Sequence, residues 1–97
     1  MFPVPVLAAA LAMVGGYAPV DPHDVLPMAD FAVRHLPRGH ARLRRIERAE
    51  TQVVAGMNVR LRLRLRDGAC WQATVWQKLD GTMELTARQP CAGRTER

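Results

Sequence analysis

The chain contains no serine, a single lysine and few aromatic residues. The lack of serine excludes a serine nucleophile. No glycine-rich phosphate loop is present, and the three histidines, His23, His35 and His40, show no metal-ligand spacing. We therefore expect no catalytic site, no cofactor and no metal. Any activity should come from binding to another molecule.

The N-terminal stretch from Phe2 to Val14 carries no charge, and it is too short for a membrane span, which needs about 20 apolar residues. Ala10-Leu11-Ala12 has the small-x-small pattern of a leader cleavage site, although the first cation of the chain is Arg34. We predict a leader segment over residues 1–12 and one domain over residues 13–97. A secreted or periplasmic location would follow.

Cys70 and Cys91 are the only two cysteines of the chain. Their even number and wide separation suit one disulfide in an oxidising compartment, and two free buried thiols are the alternative. The net charge of +5 comes from arginine, because Lys78 is the single lysine. Such a charge could favour a polyanionic partner, but a solvated strand face explains much of it.

One helix is predicted after Asp21. Apolar residues from Val25 to Leu36 recur at helical spacing, and Pro37 should end the helix after about three and a half turns. Pro27 is tolerated because it lies in the first turn, where its missing N–H would have no partner.

Four strands should follow the helix. Asp67-Gly68 and Asp80-Gly81 are typical of hairpin turns, and the first strand alternates so poorly that a bulge is expected. The expected strand ranges are 41–53, 57–66, 69–78 and 82–89. This order predicts an α+β fold, with one N-terminal helix packed on a four-stranded antiparallel meander sheet.

The first hairpin has an apolar tip. Residues 59–66 alternate strictly between apolar residues and arginine, which predicts a strand with one buried face. The turn before it reads Gln52-Val53-Val54-Ala55-Gly56. Hairpin tips are normally polar, so these apolar residues indicate a surface that a partner covers.

The same five residues spell the first-hairpin motif of the cystatins, which are tight-binding inhibitors of papain-like cysteine proteases. Four further segments resemble cystatin motifs in the expected order: Gly15 to Pro19, Met28 to Val33, Val75 to Lys78 and Glu84 to Thr86. The trunk and helix segments are most similar to those of plant cystatins. A Cys70–Cys91 bridge would match the second disulfide of secreted animal cystatins.

The resemblance implies inhibition by occlusion. In cystatins an N-terminal trunk and two hairpin tips form a wedge that fills the protease cleft without presenting a bond for cleavage. By position, the trunk here is Gly15 and Gly16, and the first tip is Gln52 to Gly56 (Gln52, Val53, Val54, Ala55 and Gly56). A papain-like cysteine protease is the implied partner.

The second tip departs from the family pattern. Cystatins usually carry Pro-Trp there, whereas this chain has Lys78-Leu79. Leu79 can supply apolar contact with less area and no indole N–H. Trp76 lies three positions before Leu79 and is expected to pack on a strand face. We therefore expect weaker or narrower inhibition than that of a typical cystatin.

Two other functions stay open. The arginine row of the second long strand, with the arginines of the first, could bind a polyanion weakly, although a solvated face explains it too. The chain could also be a cystatin-like scaffold without a protease target. We expect a monomer that could form a dimer by exchanging its helix and first strand through a straightened first hairpin.

Overall fold

The structure is a computed structural model that describes residues 16–37 and 42–91. The predicted leader, Gly15 and His40 lie outside these residues. The elements, in chain order, are β1 (Ala18–Pro19), a short 3₁₀ turn (Pro22–Val25), α1 (Leu26–Arg34), β2 (Leu43–Val54), β3 (Gly56–Leu65), β4 (Cys70–Gln77) and β5 (Met83–Pro90). No helix within the described ranges is long and apolar enough to cross a membrane.

The five strands form one antiparallel sheet in the order β1-β2-β3-β4-β5, with α1 across one face. The predicted α+β meander is confirmed, with one strand more than expected. The extra strand is β1, in which Ala18 pairs with Thr51 and Pro19 with Glu50. Two residues are too few to show an alternating pattern, so the sequence gives no periodic signal for it.

The predicted apolar stripe of the helix is confirmed, but the α-helix is shorter than expected. All six stripe residues are buried: Val25, Met28, Ala29, Ala32, Val33 and Leu36. The first of them belongs to the 3₁₀ turn, where the Asp21 carboxylate accepts a hydrogen bond from the His23 backbone N–H at 2.9 Å. After Arg34, the N–H of Leu36 bonds to the Val33 carbonyl, three residues back. Tight turns thus continue the stripe at both ends of α1.

Two irregularities in β2 explain its poor alternation. The register against β3 shifts between Leu43 and Arg45 and again between Ile46 and Arg48. Each shift adds one residue to β2, so Leu43, Ile46 and Ala49 all pack on the helix side although they are three apart. The expected bulge is therefore present twice.

The core lies between α1 and the sheet. The apolar residues of β3 (Val59, Leu61, Leu63 and Leu65) are at most 1% exposed, which confirms the face predicted by their alternation. Burial of each such side chain contributes about 1.5–3 kcal/mol to the stability of the folded state. The rigid sheet behind them supports the hairpins at its ends.

A disulfide joins Cys70 at the start of β4 to Cys91 just after β5, with their Cα atoms 5.4 Å apart. The Cys91 N–H also donates a hydrogen bond to the Cys70 carbonyl at 3.1 Å. The bridge therefore closes the base of the β4–β5 hairpin. In the chain-entropy model, a disulfide that closes a loop of this length stabilises the fold by about 3 kcal/mol.

Candidate functional site

The large exposed apolar residues concentrate at the turns β2–β3 and β4–β5. Among the described residues, Leu79 is 83% exposed, Val53 57% and Val54 38%. The remaining large exposed apolar residue is Leu26 of α1, at 40%. Because β3 and β4 pair from Met57 with Gln77, both turns lie at the same end of the sheet. This end thus presents a discontinuous apolar surface.

The first tip, Gln52 to Gly56, is a very tight turn. Val54 pairs with Gly56 across the hairpin, which leaves Ala55 alone at the apex. Gly56 has φ +94°, and a Cβ atom there would collide with the Gln77 carbonyl oxygen of β4. Glycine is needed for both reasons, the backbone conformation and the close approach. The side chain of Gln52 accepts a hydrogen bond from the Asn58 amide at 2.9 Å, beside the tip.

The second tip, Lys78 to Gly81, is held by its own hydrogen bonds. The Lys78 N–H donates to the Thr82 carbonyl at 2.8 Å, and the Gly81 N–H donates to the Lys78 carbonyl at 2.9 Å. The Asp80 carboxylate accepts from the Thr82 backbone N–H and hydroxyl, and these bonds lower the pKa of Asp80. Leu79 is left to project into solvent.

The described part of the trunk runs towards the first tip. Extension of the β1 register by two residues brings Gly16 level with Val53. Between Gly16 and β1, the ring of Tyr17 lies under the Arg60 guanidinium, whose carbon is 3.9 Å from the ring centroid. Arg60 is in turn paired with Glu50 at 2.9 Å. The strand pairing and this cation–π contact hold the trunk against the sheet.

Trp76 has a role that the sequence did not indicate. It lies on the sheet face opposite α1, and its indole N–H donates a hydrogen bond to the Ala55 carbonyl at 2.8 Å. This bond joins the end of β4 to the apex of the first tip. The prediction of a strand-face residue holds, but the contact is with the tip, 21 positions away in sequence. Only a register of β4 against β3 could have suggested it.

The arginine face of the sheet is internally paired. Glu47, the extra residue at the second bulge of β2, receives three arginines: Arg64 at 3.0 Å, Arg62 at 3.1 Å and Arg45 at 3.1 Å. Glu50 contacts Arg48 and Arg60. Two carboxylates thus offset part of the charge of five guanidinium groups, which leaves less free charge for a polyanion than the sequence suggests.

The pKa of Glu47 is lowered, first by its hydrogen bond from Arg64 and then by the bond from Arg62. Because the folded pKa lies below the ordinary value of 4.5, the resulting stability is present in full above that pH and is lost as the pH falls through the folded pKa. We expect Glu47→Gln to reduce the free energy of unfolding at pH 7 by about 1–2 kcal/mol.

Urea unfolding at pH 7 and pH 3 checks this prediction. The difference between the wild type and Glu47→Gln should shrink at the lower pH, because the stability that comes from the lowered pKa of Glu47 is lost progressively as the pH falls below 4.5. Asp30→Asn, which changes an exposed carboxyl of α1, is the matched control and should leave the pH 7 stability nearly unchanged. A Glu47→Gln effect of equal size at both pH values would contradict the ionic origin of the stability.

The described histidines serve local structure. His23 is part of the capped 3₁₀ turn, and the His35 ring stacks on Phe31 with centroids 4.2 Å apart while its Nδ1 is 2.8 Å from the Phe31 carbonyl oxygen. Within residues 16–37 and 42–91, no group of three or more His, Cys, Asp or Glu side chains is arranged to hold a metal ion.

A family model gives the comparison with known proteins. The cystatin domain model matches residues 15–95, which covers the trunk, both tips and all five strands. A search of curated proteins found no match.

Proposed function

Because the chain belongs to the cystatin family, whose members are inhibitors rather than enzymes, we propose that it is a reversible, tight-binding inhibitor of papain-like cysteine proteases. The observation that carries the proposal is the shared position of three segments. Gly16, the apolar first tip and Leu79 all belong to one end of the sheet. Three segments side by side at the end of a sheet can enter a cleft in a partner protein, whereas they would make little contact with a flat surface.

The proposed mechanism is occlusion. Val53, Val54 and Ala55 enter the cleft beside the catalytic cysteine, and the trunk residues Gly15 and Gly16 bend into the unprimed subsites. Each apolar side chain that becomes buried contributes about 1.5–3 kcal/mol. No peptide bond of the tight turn needs to reach attack geometry, so the inhibitor stays intact.

The second tip limits the affinity within this proposal. Leu79 offers an exposed apolar side chain, but Trp is the stronger interface anchor because of its larger area and its N–H donor. We therefore expect this protein to inhibit papain-like enzymes less tightly than family members that carry Pro-Trp. The first tip should contribute most of the binding free energy.

The disulfide and the first hairpin indicate in which compartment and in which oligomeric form the protein would inhibit. The Cys70–Cys91 disulfide favours an oxidising, extracellular or periplasmic location. The monomer is the inhibitory form, because a strand-exchanged dimer would straighten the hairpin whose tip enters the cleft.

Weak polyanion binding by the arginine face is the alternative function. The ion pairs of these arginines with Glu47 and Glu50 argue against polyanion binding as the main function.

Papain titrated with the purified, oxidised protein provides the test. We expect competitive inhibition with a small substrate, and recovery of the inhibitor uncleaved. Papain whose catalytic thiol has been blocked by a small alkyl group should still bind, since occlusion needs no reaction with the thiol. No inhibition at micromolar concentration, from a sample with native circular dichroism, would refute the proposal.

A further inference from the structure

Trp76 is placed to control the shape of the first tip. Ala55 belongs to neither strand of the hairpin, so its carbonyl lies outside the β2–β3 pairing. The indole N–H of Trp76 supplies a donor to that carbonyl at 2.8 Å. The apex of the tip is thereby fixed to a residue of the neighbouring hairpin.

Trp76 is itself held by the second hairpin. The ammonium group of Lys78 lies 5.2 Å from the centroid of the Trp76 ring, and it also forms an ion pair with Glu84 of β5 at 3.3 Å. On the other side, the backbone of Gly56 approaches the Gln77 carbonyl so closely that no side chain would fit. Contacts through side chains and backbone therefore seat the first tip on the end of β4.

We propose that Trp76 is a positioning residue for inhibition, an inference that rests on the proposed function. By holding the Ala55 carbonyl, it keeps Val53 and Val54 in the conformation that enters the cleft. A tip that is ordered before binding loses less conformational freedom when the complex forms.

This role predicts a particular kinetic effect. When only a fraction of the molecules has the tip in its binding conformation, the apparent affinity falls by that fraction. If the tip interconverts rapidly, the loss appears in the association rate constant. Loss of a direct contact with the protease would instead raise the dissociation rate constant, as most interface mutations do.

Trp76→Phe is the variant that tests the inference, because it removes the N–H donor and keeps an aromatic ring for Lys78. We expect an association rate constant with papain that is lower by up to about tenfold, because one neutral hydrogen bond changes the equilibrium between the ordered and the disordered tip by a factor of that order. The dissociation rate constant should change less than twofold. ¹⁵N relaxation should show lower order parameters at the amides of Ala55 and Gly56.

Trp71→Phe is the matched control, since it makes the same chemical change at the other end of β4, where Trp71 packs against the core. It should leave both rate constants and the order parameters of the tip unchanged. Unchanged association and unchanged tip order in Trp76→Phe would overturn the inference and leave the proposed function intact. A rise in dissociation alone would overturn it too, in favour of direct contact.

Failure of the proposed function gives a different result. The wild-type protein would then not inhibit papain, and the order parameters of the free protein would decide whether Trp76 orders the tip. Lower order in Trp76→Phe but not in Trp71→Phe would support the positioning of Ala55 by Trp76. Equal order in all three proteins would overturn it.

Discussion

Val54→Asp is expected to weaken inhibition of papain by about a hundredfold or more. The change removes an apolar side chain whose burial in the complex would contribute about 1.5–3 kcal/mol. It also places a carboxylate in a desolvated cleft, where an unpaired polar group costs about 1–3 kcal/mol or more. Together these terms amount to about 2.5–6 kcal/mol, which corresponds to about two to four orders of magnitude in the inhibition constant. Progress curves at several inhibitor concentrations would measure it.

Leu26→Asp is the control for this experiment. Leu26 is 40% exposed and Val54 38%, so the two changes place the same charge at equally exposed apolar positions of the free protein. Leu26 is the first residue of α1 and belongs to neither hairpin tip. Inhibition should be unchanged in Leu26→Asp. An equal loss in both variants would indicate general damage to the protein, and no loss in Val54→Asp would place the contact surface elsewhere.

The fold was largely readable from the sequence because its strongest signals are periodic. The strict alternation of β3 predicted a buried face, and Leu61 and Leu63 are in fact at most 1% exposed. The poor alternation of β2 indicated a bulge, but it gave neither the number nor the positions of the two bulges that shift its apolar residues to a spacing of three. Those positions are set by pairing with the neighbouring strand, which the pattern of a single strand does not contain.

The sequence predicted the exposed apolar residues of the candidate site, but it did not predict the contacts that hold the hairpin tips in place. Val53, Val54 and Leu79 stand out in the sequence because apolar residues at hairpin turns are unusual, and all three are exposed in the structure. The supports depend on long-range pairing: Trp76 reaches Ala55 only because β4 lies beside β3 in one particular register. Local patterns carry no information about such contacts.

The sequence also did not show how much of the charge of the arginine row is paired with carboxylates. As a sequence it is an uninterrupted cationic face, which suggested a polyanion partner. The bulge that makes Glu47 the extra residue of β2 brings its carboxylate among Arg62, Arg64 and Arg45. Net charge therefore overstates the charge that this face offers to a ligand, because the compensating carboxylates come from the neighbouring strand.

Gly56→Ala is expected to destabilise the protein by about 2–5 kcal/mol. A positive φ of +94° costs an alanine about 1–2 kcal/mol. The new Cβ would also collide with the Gln77 carbonyl oxygen, which belongs to backbone and cannot rotate away. Displacement of packed backbone of this kind adds about 1–3 kcal/mol. Urea unfolding monitored by tryptophan fluorescence would measure the change in the free energy of unfolding.

Gly68→Ala separates the two causes. Gly68 has nearly the same φ, +92°, but nothing lies within 4 Å of the position of an added Cβ. It should therefore show the conformational cost alone, about 1–2 kcal/mol. If both variants lose equal stability, the close approach of Gly56 to β4 is unimportant. If Gly56→Ala loses more stability and also more inhibition than Gly68→Ala, the close contact of Gly56 with β4 both stabilises the fold and holds the first tip in the conformation that binds the protease.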